Sequence, residues 1–275
     1  MIRLLQLIIS LCAFLSLHSP AFAEVTVFAG SASKPPLEEA AELYQSETGV
    51  EIVLHFGGSG AMLNQLRLSQ KADLFIPGSP DYMSKATRLN LVDTSSEKII
   101  AYLIPAINVP KGNPKNIQKL ADLGQPDVRV GIADPAGVCV GLYAVELLEF
   151  NELTVSIRPN LIGSVESCAK TAAMIPLQSV DATLGWREFE SWNPDRTESI
   201  LLPPEQIARI AYIPAALAKN ARNIEAATDF LNFLTSKKGE AVFARWGYLT
   251  SEEQARAYAP KARIGGEYQL PEWWQ

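Results

Sequence analysis

Two successive segments near the start of the chain share one pattern, an apolar strand that ends in a Gly–Ser turn and continues into a helix. The first copy is VTVFAGSASKPPLEEAAELY, residues 25–44, and the second is VEIVLHFGGSGAMLNQL, residues 50–66. Ser31 and Ser59 fall in the two turns. The free N–H groups of a helix's first turn carry partial positive charge. Two such turns side by side predict a site for a small anion, although one copy alone is ordinary in α/β proteins.

The first 23 residues have the pattern of a secretory signal peptide. Met1-Ile2-Arg3 is a short basic start, residues 4–17 are apolar, and Ala21-Phe22-Ala23 has the A-x-A form of a cleavage site. The apolar stretch is too short to span a bilayer. We therefore expect residues 1–23 to be removed and the exported chain to begin at Glu24, in a bacterial periplasm.

The composition predicts a folded chain with an acidic surface. Apolar residues make up 48% of the sequence, which is enough for a full core. The formal net charge is −6, and it becomes −7 from Glu24 onward because Arg3 is the only charged residue before it. Such a chain is a poor candidate for nucleic acid or anionic membranes. An anion can still bind, since helix dipoles and neutral donors act locally while surface charges are screened over about 10 Å.

The exported chain contains one pair of cysteines, Cys139 and Cys168. In an oxidising compartment, a single pair favours a disulfide over free thiols or a metal site. His55 is the only histidine after residue 23, and there is no C-x-x-C motif. A structural zinc site or a catalytic triad with histidine therefore has almost nothing to be built from.

Strand-like and helix-like segments alternate along the chain, which predicts an α/β fold with largely parallel sheets. A strand at 72–76 (ADLFI) is closed by PGS, a third turn (DPAGVCVG) follows a strand at 128–132, and a helix is predicted over 167–179. The tail 252–275 has little periodicity and is expected to be a packed surface extension. Segments 101–106 (AYLIPA) and 211–216 (AYIPAA) resemble each other, either because they are two strands that cross between a pair of lobes or because strand-like composition coincides.

Several of these segments resemble the substrate-binding proteins of molybdate and tungstate ABC transporters: the two Gly–Ser turns of residues 25–66, ADLFIPGSPDYM, ADPAGVCVGLYAVELL, VDATLGWREFESWNPD and ATDFLNFLTSKKGEAVFARWGY. The resemblance covers residues 25–248. It implies a two-lobed periplasmic binding protein of type II, the Venus-flytrap architecture, with two crossover strands. The implied lobe one comprises 24–104 and 212–275, and lobe two comprises 105–211.

The resemblance also implies which residues bind the ligand. By position, Ser31 and Ser59 would be the hydroxyl donors of lobe one, and the backbone near Val140 and at Cys168 would supply N–H donors from lobe two. Many relatives place a tyrosine hydroxyl on the anion at the end of the strand that here reads DATLGW. This chain has Trp186 and Arg187 there, whose indole N–H and guanidinium are different donors.

The expected role is that of a solute-binding protein, not an enzyme. It would capture molybdate or tungstate without a cofactor or a metal cation and deliver it, as a monomer, to an ABC permease in the inner membrane. One alternative is another ligand on the same lobes: sulfate, phosphate, or a soft metal held by thiolates, Met62 or His55. A more distant one is an exported hydrolase with Ser31 or Ser59 as its nucleophile.

Overall fold

The computed structural model describes residues 24–274; the predicted signal peptide and its cleavage site lie outside this range. The strands are β1 Glu24–Gly30, β2 Glu51–Gly57, β3 Leu74–Ile76, β4 Lys98–Leu103, β5 Pro105–Pro110, β6 Val130–Ala133, β7 Leu161–Val165, β8 Ala182–Trp186, β9 Thr197–Leu201, β10 Arg209–Leu217 and β11 Arg263–Ile264. The α-helices are α1 Lys34–Thr48, α2 Ser59–Ser69, α3 Pro80–Arg88, α4 Cys139–Phe150, α5 Thr154–Ile157, α6 Cys168–Ala173, α7 Phe189–Trp192, α8 Ile224–Leu234, α9 Lys237–Arg245 and α10 Glu252–Tyr258.

The strands form two sheets, and each sheet is the centre of one lobe. The first has the order β11-β10-β3-β1-β2, with β4 paired to β10, and the second has the order β7-β6-β8-β5-β9. The chain leaves the first sheet between β4 and β5 and returns between β9 and β10. This arrangement confirms the predicted two-lobed α/β fold with two crossings. We use lobe one and lobe two for the parts of the chain around the first and second sheets; the exact residue limits remain a prediction.

The two echoed segments are direct neighbours in the first sheet. Strands β4 and β10 pair antiparallel, with Tyr102 opposite Tyr212. Because β5 and β9 also pair antiparallel in the second sheet, the two crossings run side by side in opposite directions. The lobes are therefore joined by two adjacent connections.

Parallel register brings the Gly–Ser turns together. Strand β1 lies between β2 and β3 and is parallel to both, with Gly30 opposite Gly57 and Ala29 opposite Ile76. The carboxyl ends of these three strands therefore meet at one edge, and the turns after them are adjacent. In lobe two, β6 is parallel to β7, with Ala133 opposite Val165, which places the starts of α4 and α6 side by side.

The apolar core is divided between two clusters of buried residues. The second cluster lies around the second sheet and includes Ile107, Val130 and Leu148. The first cluster is centred on lobe one but continues into lobe two through Cys139 and Trp186. The lobes therefore pack directly against each other at the strand ends that carry the turns.

A buried ion network joins the lobes beside the second crossing. The Arg209 side chain, 1% exposed, donates through Nη1 to both carboxylate oxygens of Asp81 at 3.0 Å and through Nε to Glu146 at 2.7 Å. Asp81 lies in the first turn of α3 in lobe one, whereas Glu146 lies on α4 of lobe two. The guanidinium also stacks 3.9 Å from the centre of the Tyr143 ring, a cation–π contact. One cation thus neutralises a carboxylate from each lobe.

The tail is more structured than its sequence indicated. It forms helix α10, and β11 adds to the first sheet with Arg263 beside Arg209. The Gly266 carbonyl accepts a hydrogen bond from Arg209 at 2.7 Å, and the Tyr268 N–H donates to Asp81 at 3.0 Å. The tail thus completes the buried network rather than only covering the surface.

The predicted helix over 167–179 is wrong in length. Helix α6 spans Cys168–Ala173 only, and turns follow it. Pro176 explains the early end, because proline has no N–H to continue the helix and disfavours helical backbone at the residue before it. Within residues 24–274, no helix is long and apolar enough to cross a membrane.

Candidate functional site

Ser31 and Ser59 are buried where the two lobes meet, and both side chains are held by backbone N–H groups. The Ser59 hydroxyl oxygen accepts from the Gly78 N–H at 3.0 Å, and the Ser31 oxygen accepts from the Ala169 N–H at 3.1 Å. The second bond crosses between lobes, since Ala169 lies in α6. A hydroxyl whose oxygen accepts a bond still carries a proton that it can donate to a ligand.

Uncapped helix starts from both lobes surround these serines. Helices α2 and α4 begin after Gly58 and Val138, and neither has a side-chain cap. The Gly60 N–H of α2 instead donates to the Gly137 carbonyl of lobe two at 2.8 Å. The Tyr82 hydroxyl donates to the neighbouring Ala136 carbonyl at 3.2 Å. The first turns of the two helices therefore approach each other across the interface.

This close approach depends on glycine in lobe one. A Cβ atom built on Gly58 would lie 2.5 Å from the Glu166 carbonyl oxygen, and one on Gly60 would lie 3.0 Å from the Gly137 carbonyl oxygen. Real Cβ atoms do not pack as closely as 2.5 Å to a backbone atom. The second Gly–Ser turn is thus shaped for contact with lobe two.

The structure does not contain the predicted disulfide. Cys139 and Cys168 are both free thiols, with their sulfur atoms 3.4 Å apart. A disulfide has an S–S bond of about 2.05 Å, so the sulfurs would have to approach by about 1.3 Å. Each cysteine begins a different helix, and the Cys139 sulfur also lies against Gly78 of lobe one. The sequence correctly predicted that the cysteines are neighbours, but the bond between them is not formed.

The Cys139 thiol is buried, and two hydrogen-bond donors lie beside it. Burial raises the pKa of its thiol well above the usual range, and the Cys168 sulfur raises it further. Hydrogen bonds from Ser59 and from the Val140 N–H act in the opposite direction. The Val140 N–H thus faces the same small space as the Ser59 hydroxyl, and the Cys139 thiol there is held in its neutral form.

Trp186 lies behind this group, in full burial. Its indole ring packs edge-on against Tyr143, with ring centres 5.1 Å apart. Neither the Trp186 indole N–H nor the Tyr143 hydroxyl finds a hydrogen-bond partner among residues 24–274. Tyr143 reads as a core residue in the sequence, but it follows Cys139 by one helical turn of α4. Its buried polar atom therefore lies on the same helix face as the thiol.

Arg187, His55 and Met62 are engaged elsewhere. The Arg187 guanidinium hydrogen-bonds to Glu188 and to the Gly247 carbonyl, and it stacks 5.0 Å from the centre of the Tyr258 ring. His55 is exposed on β2, with its ring against Phe28, and neither predicted site serine hydrogen-bonds to it. Met62 packs on Gly57. The structure thus gathers Ser31, Ser59, Val140 and Cys168, and places Trp186 behind them.

One residue at the site was missed from the sequence, Gly78, whose N–H donates to the Ser59 hydroxyl oxygen. Residues 77–79 (PGS) end the third parallel strand of lobe one, and the other two strands also end in Gly and Ser. This repetition was a usable signal. Cross-lobe donors such as the Ala169 N–H had no local signal, because they depend on how two distant parts of the chain dock.

Arg187 contacts Glu188, a fully buried carboxyl two residues after β8, and the burial of Glu188 predicts that stability depends on pH. Burial raises the pKa of Glu188 to about 7, although Arg187 opposes the shift. Between the unfolded pKa near 4.5 and the folded value, the folded chain holds a proton that the unfolded chain has lost. The contribution of this carboxyl to stability is therefore lost as pH rises through that window.

We expect Glu188→Gln to remove this loss, because glutamine stays neutral at every pH. Urea unfolding at pH 5 and pH 8 should show the variant gaining stability relative to the parent at the higher pH. Glu205→Gln, at an exposed position, is the matched control and should keep a constant difference. Parallel curves for Glu188→Gln and the parent would contradict the prediction.

The donors gathered at the site are neutral and suit an anion. The site brings together two hydroxyls, two thiols and the N–H groups of turns and helix starts. The nearby Asp134 carboxylate accepts a bond from the Ala136 N–H of its own turn at 3.1 Å. Among residues 24–274, no group of three or more His, Cys, Asp or Glu side chains could hold a metal ion.

Comparisons with known proteins show which proteins this chain resembles in sequence and fold. The chain is 22% identical over 236 residues to the molybdate-binding protein ModA of Escherichia coli strain K12, with 82% of this chain and 88% of ModA covered. Its fold matches the sulfate-binding protein SubI of Mycobacterium tuberculosis with a TM-score of 0.76 at 15% identity, over 88% of this chain and 94% of SubI. It also matches the periplasmic molybdate-binding protein of Azotobacter vinelandii with a TM-score of 0.72 at 14% identity, over 83% and 100% of the two chains.

The fold of this chain is thus that of the type II periplasmic binding proteins, as the sequence resemblance implied. A family described as "Bacterial extracellular solute-binding protein" matches residues 25–249, which is most of the described chain. With its two lobes and the donors between them, the chain belongs to the bacterial extracellular solute-binding protein family.

Proposed function

We propose that this protein captures a tetrahedral oxyanion, molybdate or tungstate, between its lobes in the periplasm and delivers it to an ABC permease. The observation that carries the proposal is the convergence of Ser31 and Ser59 with backbone N–H groups from both lobes. Molybdate-binding proteins among the relatives support the choice of anion. The signal peptide at residues 1–23 and the monomeric state are part of the same proposal.

The chemistry of the donors fits an anion that is fully ionised at neutral pH. Desolvating a dianion costs far more than one hydrogen bond returns, so many fixed donors must act together. A fully ionised anion needs only donors, which serine hydroxyls and backbone N–H groups supply. Phosphate carries a proton near neutral pH and therefore also needs an acceptor. Sulfate has the same charge as molybdate and shorter bonds, so cavity size must separate the two. Sulfate is the second candidate, because SubI shares the fold.

A panel of oxyanions tests the proposal. The melting temperature of the ligand-stripped chain from Glu24 onward is measured with molybdate, tungstate, sulfate or phosphate. Binding of each anion is then measured by calorimetric titration. At a hundredfold excess over Kd, a bound ligand adds about 2.7 kcal/mol of stability. Molybdate or tungstate should raise the melting temperature at one site per chain. A response to sulfate alone would identify sulfate as the ligand in place of molybdate or tungstate. No response to any oxyanion would refute the proposal.

Removing one hydroxyl should weaken this binding. We expect Ser31→Ala and Ser59→Ala each to cost about 1–2 kcal/mol of binding free energy, because the buried anion loses a donor. Calorimetric titration with molybdate would show a loss of affinity of about five- to thirtyfold.

Ser33→Ala is the matched control within the same turn. Ser33 is equally buried, but its hydroxyl donates to the Gly30 carbonyl at 3.2 Å. This variant should lose some stability and keep its affinity. If all three variants bind as the parent does, the ligand lies elsewhere.

A further inference from the structure

Two free thiols meet at the interface between the lobes. The sulfur atoms of Cys139 and Cys168 are 3.4 Å apart, and each residue is 1% exposed. They begin helices that follow adjacent parallel strands, so the sheet register fixes their separation. Two thiols at this distance can bind one soft atom together.

Lobe one closes over this pair. A Cβ atom built on Gly78 would lie 2.6 Å from the Cys139 sulfur and 3.4 Å from the Ser59 hydroxyl oxygen. On the other side, Ala169 directly follows Cys168, and its N–H donates to the Ser31 hydroxyl oxygen. An atom bound to both sulfurs would thus have serine hydroxyls and N–H groups beside its remaining position.

The ligand set argues against a metal cation. The described residues offer no third thiol, imidazole or carboxylate in a metal-binding group with these two. Zinc, with Zn–S bonds of about 2.3 Å at a tetrahedral angle, would hold the sulfurs about 3.8 Å apart. The lone pair of trivalent arsenic narrows its bond angles, which keeps two sulfurs closer together. Its third bond can keep a hydroxyl group.

We propose that Cys139 and Cys168 form a dithiol site for a trivalent metalloid hydroxide of the arsenite class. Two As–S bonds form and two As–OH bonds break, and each thiol proton leaves with a hydroxyl group as water. Arsenic stays trivalent, so no electrons are transferred. Thiols and arsenous acid are both neutral, so the buried site acquires no net charge, and the remaining As–OH group lies beside Ser31 and Ser59.

The inference rests on the proposed function in one respect only, that ligands enter the cleft between the lobes. It does not require molybdate to be the transported anion. Both ligands would occupy the same space, so we expect them to compete.

Arsenite binding by the reduced chain from Glu24 onward tests the inference. Arsenic absorption-edge spectroscopy should show two sulfur neighbours and one oxygen. Calorimetric titration should show one site, with affinity falling about a hundredfold or more in Cys139→Ser and in Cys168→Ser, because the second bond of a chelate is intramolecular. Arsenate, which is pentavalent and forms no thiol chelate here, is the control ligand. Unliganded melting curves confirm that both variants fold.

The possible results separate the two proposals. Arsenite binding to both sulfurs supports the dithiol site, whether or not molybdate binds. Molybdate binding without an arsenite complex overturns the dithiol site alone, and failure of both ligands overturns the cleft as the ligand site. A one-sulfur adduct, a cuprous complex that excludes arsenite, or a chain isolated with its cysteines already joined would each overturn the inference.

Discussion

Replacing Arg209 with methionine is expected to destabilise the protein by about 3–5 kcal/mol, the cost of breaking a buried ion pair from one side. Methionine would leave Asp81 of lobe one buried without its cation, and Glu146 of lobe two with the more distant Arg263 at 3.8 Å. Burial already raises the pKa of Glu146. The loss, measured by urea unfolding at pH 7, should shrink at lower pH as the Glu146 carboxyl becomes protonated.

Arg245→Met is the matched control for this loss. Arg245 also pairs with a glutamate, Glu39, but both side chains are substantially exposed. Exposed pairs contribute about 0–1 kcal/mol, so the control should be nearly neutral. A loss from Arg209→Met as small as that of the control would show that the network does not hold the lobes together.

Gly58→Ala is expected to weaken ligand binding by about 2–3 kcal/mol while leaving each lobe folded. The added methyl would lie 2.5 Å from the Glu166 carbonyl oxygen and 3.2 Å from that of Gly137, both on lobe two. Backbone atoms cannot rotate away, so the lobes must stay slightly apart, at an overpacking cost of this order. Gly58 has φ −63° and ψ 144°, which alanine adopts readily, so backbone strain does not contribute.

Calorimetric titration should then show an affinity loss of about 30- to 150-fold, with a melting temperature close to that of the parent without ligand. Ala61→Ser is the matched control, because Ala61 is exposed on the same helix and an added atom there meets solvent. Parent-like affinity in Gly58→Ala would mean that binding does not need the close approach of the two turns.

The sequence was informative wherever local chemistry determines the result. Alternating strands and helices predicted the fold class, and the repeated Gly–Ser turns predicted that Ser31 and Ser59 come together. The two serines come together because parallel strands end at the same edge of a sheet. This position depends on strand register rather than on contacts between distant parts of the chain. Gly78 was missed, although it follows the third strand of the same set.

Contacts between distant parts of the chain were beyond local reasoning. Arg187 follows a lobe-two strand, but its guanidinium contacts Gly247 and Tyr258, about sixty and seventy positions later in the chain. The cysteines also show what local reasoning cannot predict, in this case the distance between two sulfur atoms. Their neighbourhood could be predicted from two turns, but whether a bond of about 2.05 Å forms depends on differences of about an ångström.

Anomalous diffraction from crystals grown with molybdate would locate the ligand without assuming where it binds, because molybdenum gives its own signal. We expect one strong peak between the lobes, with anion oxygens about 3 Å from the Ser31 and Ser59 hydroxyl oxygens. A peak on the outer surface of either lobe, or none at ligand concentrations that saturate calorimetric binding, would contradict it.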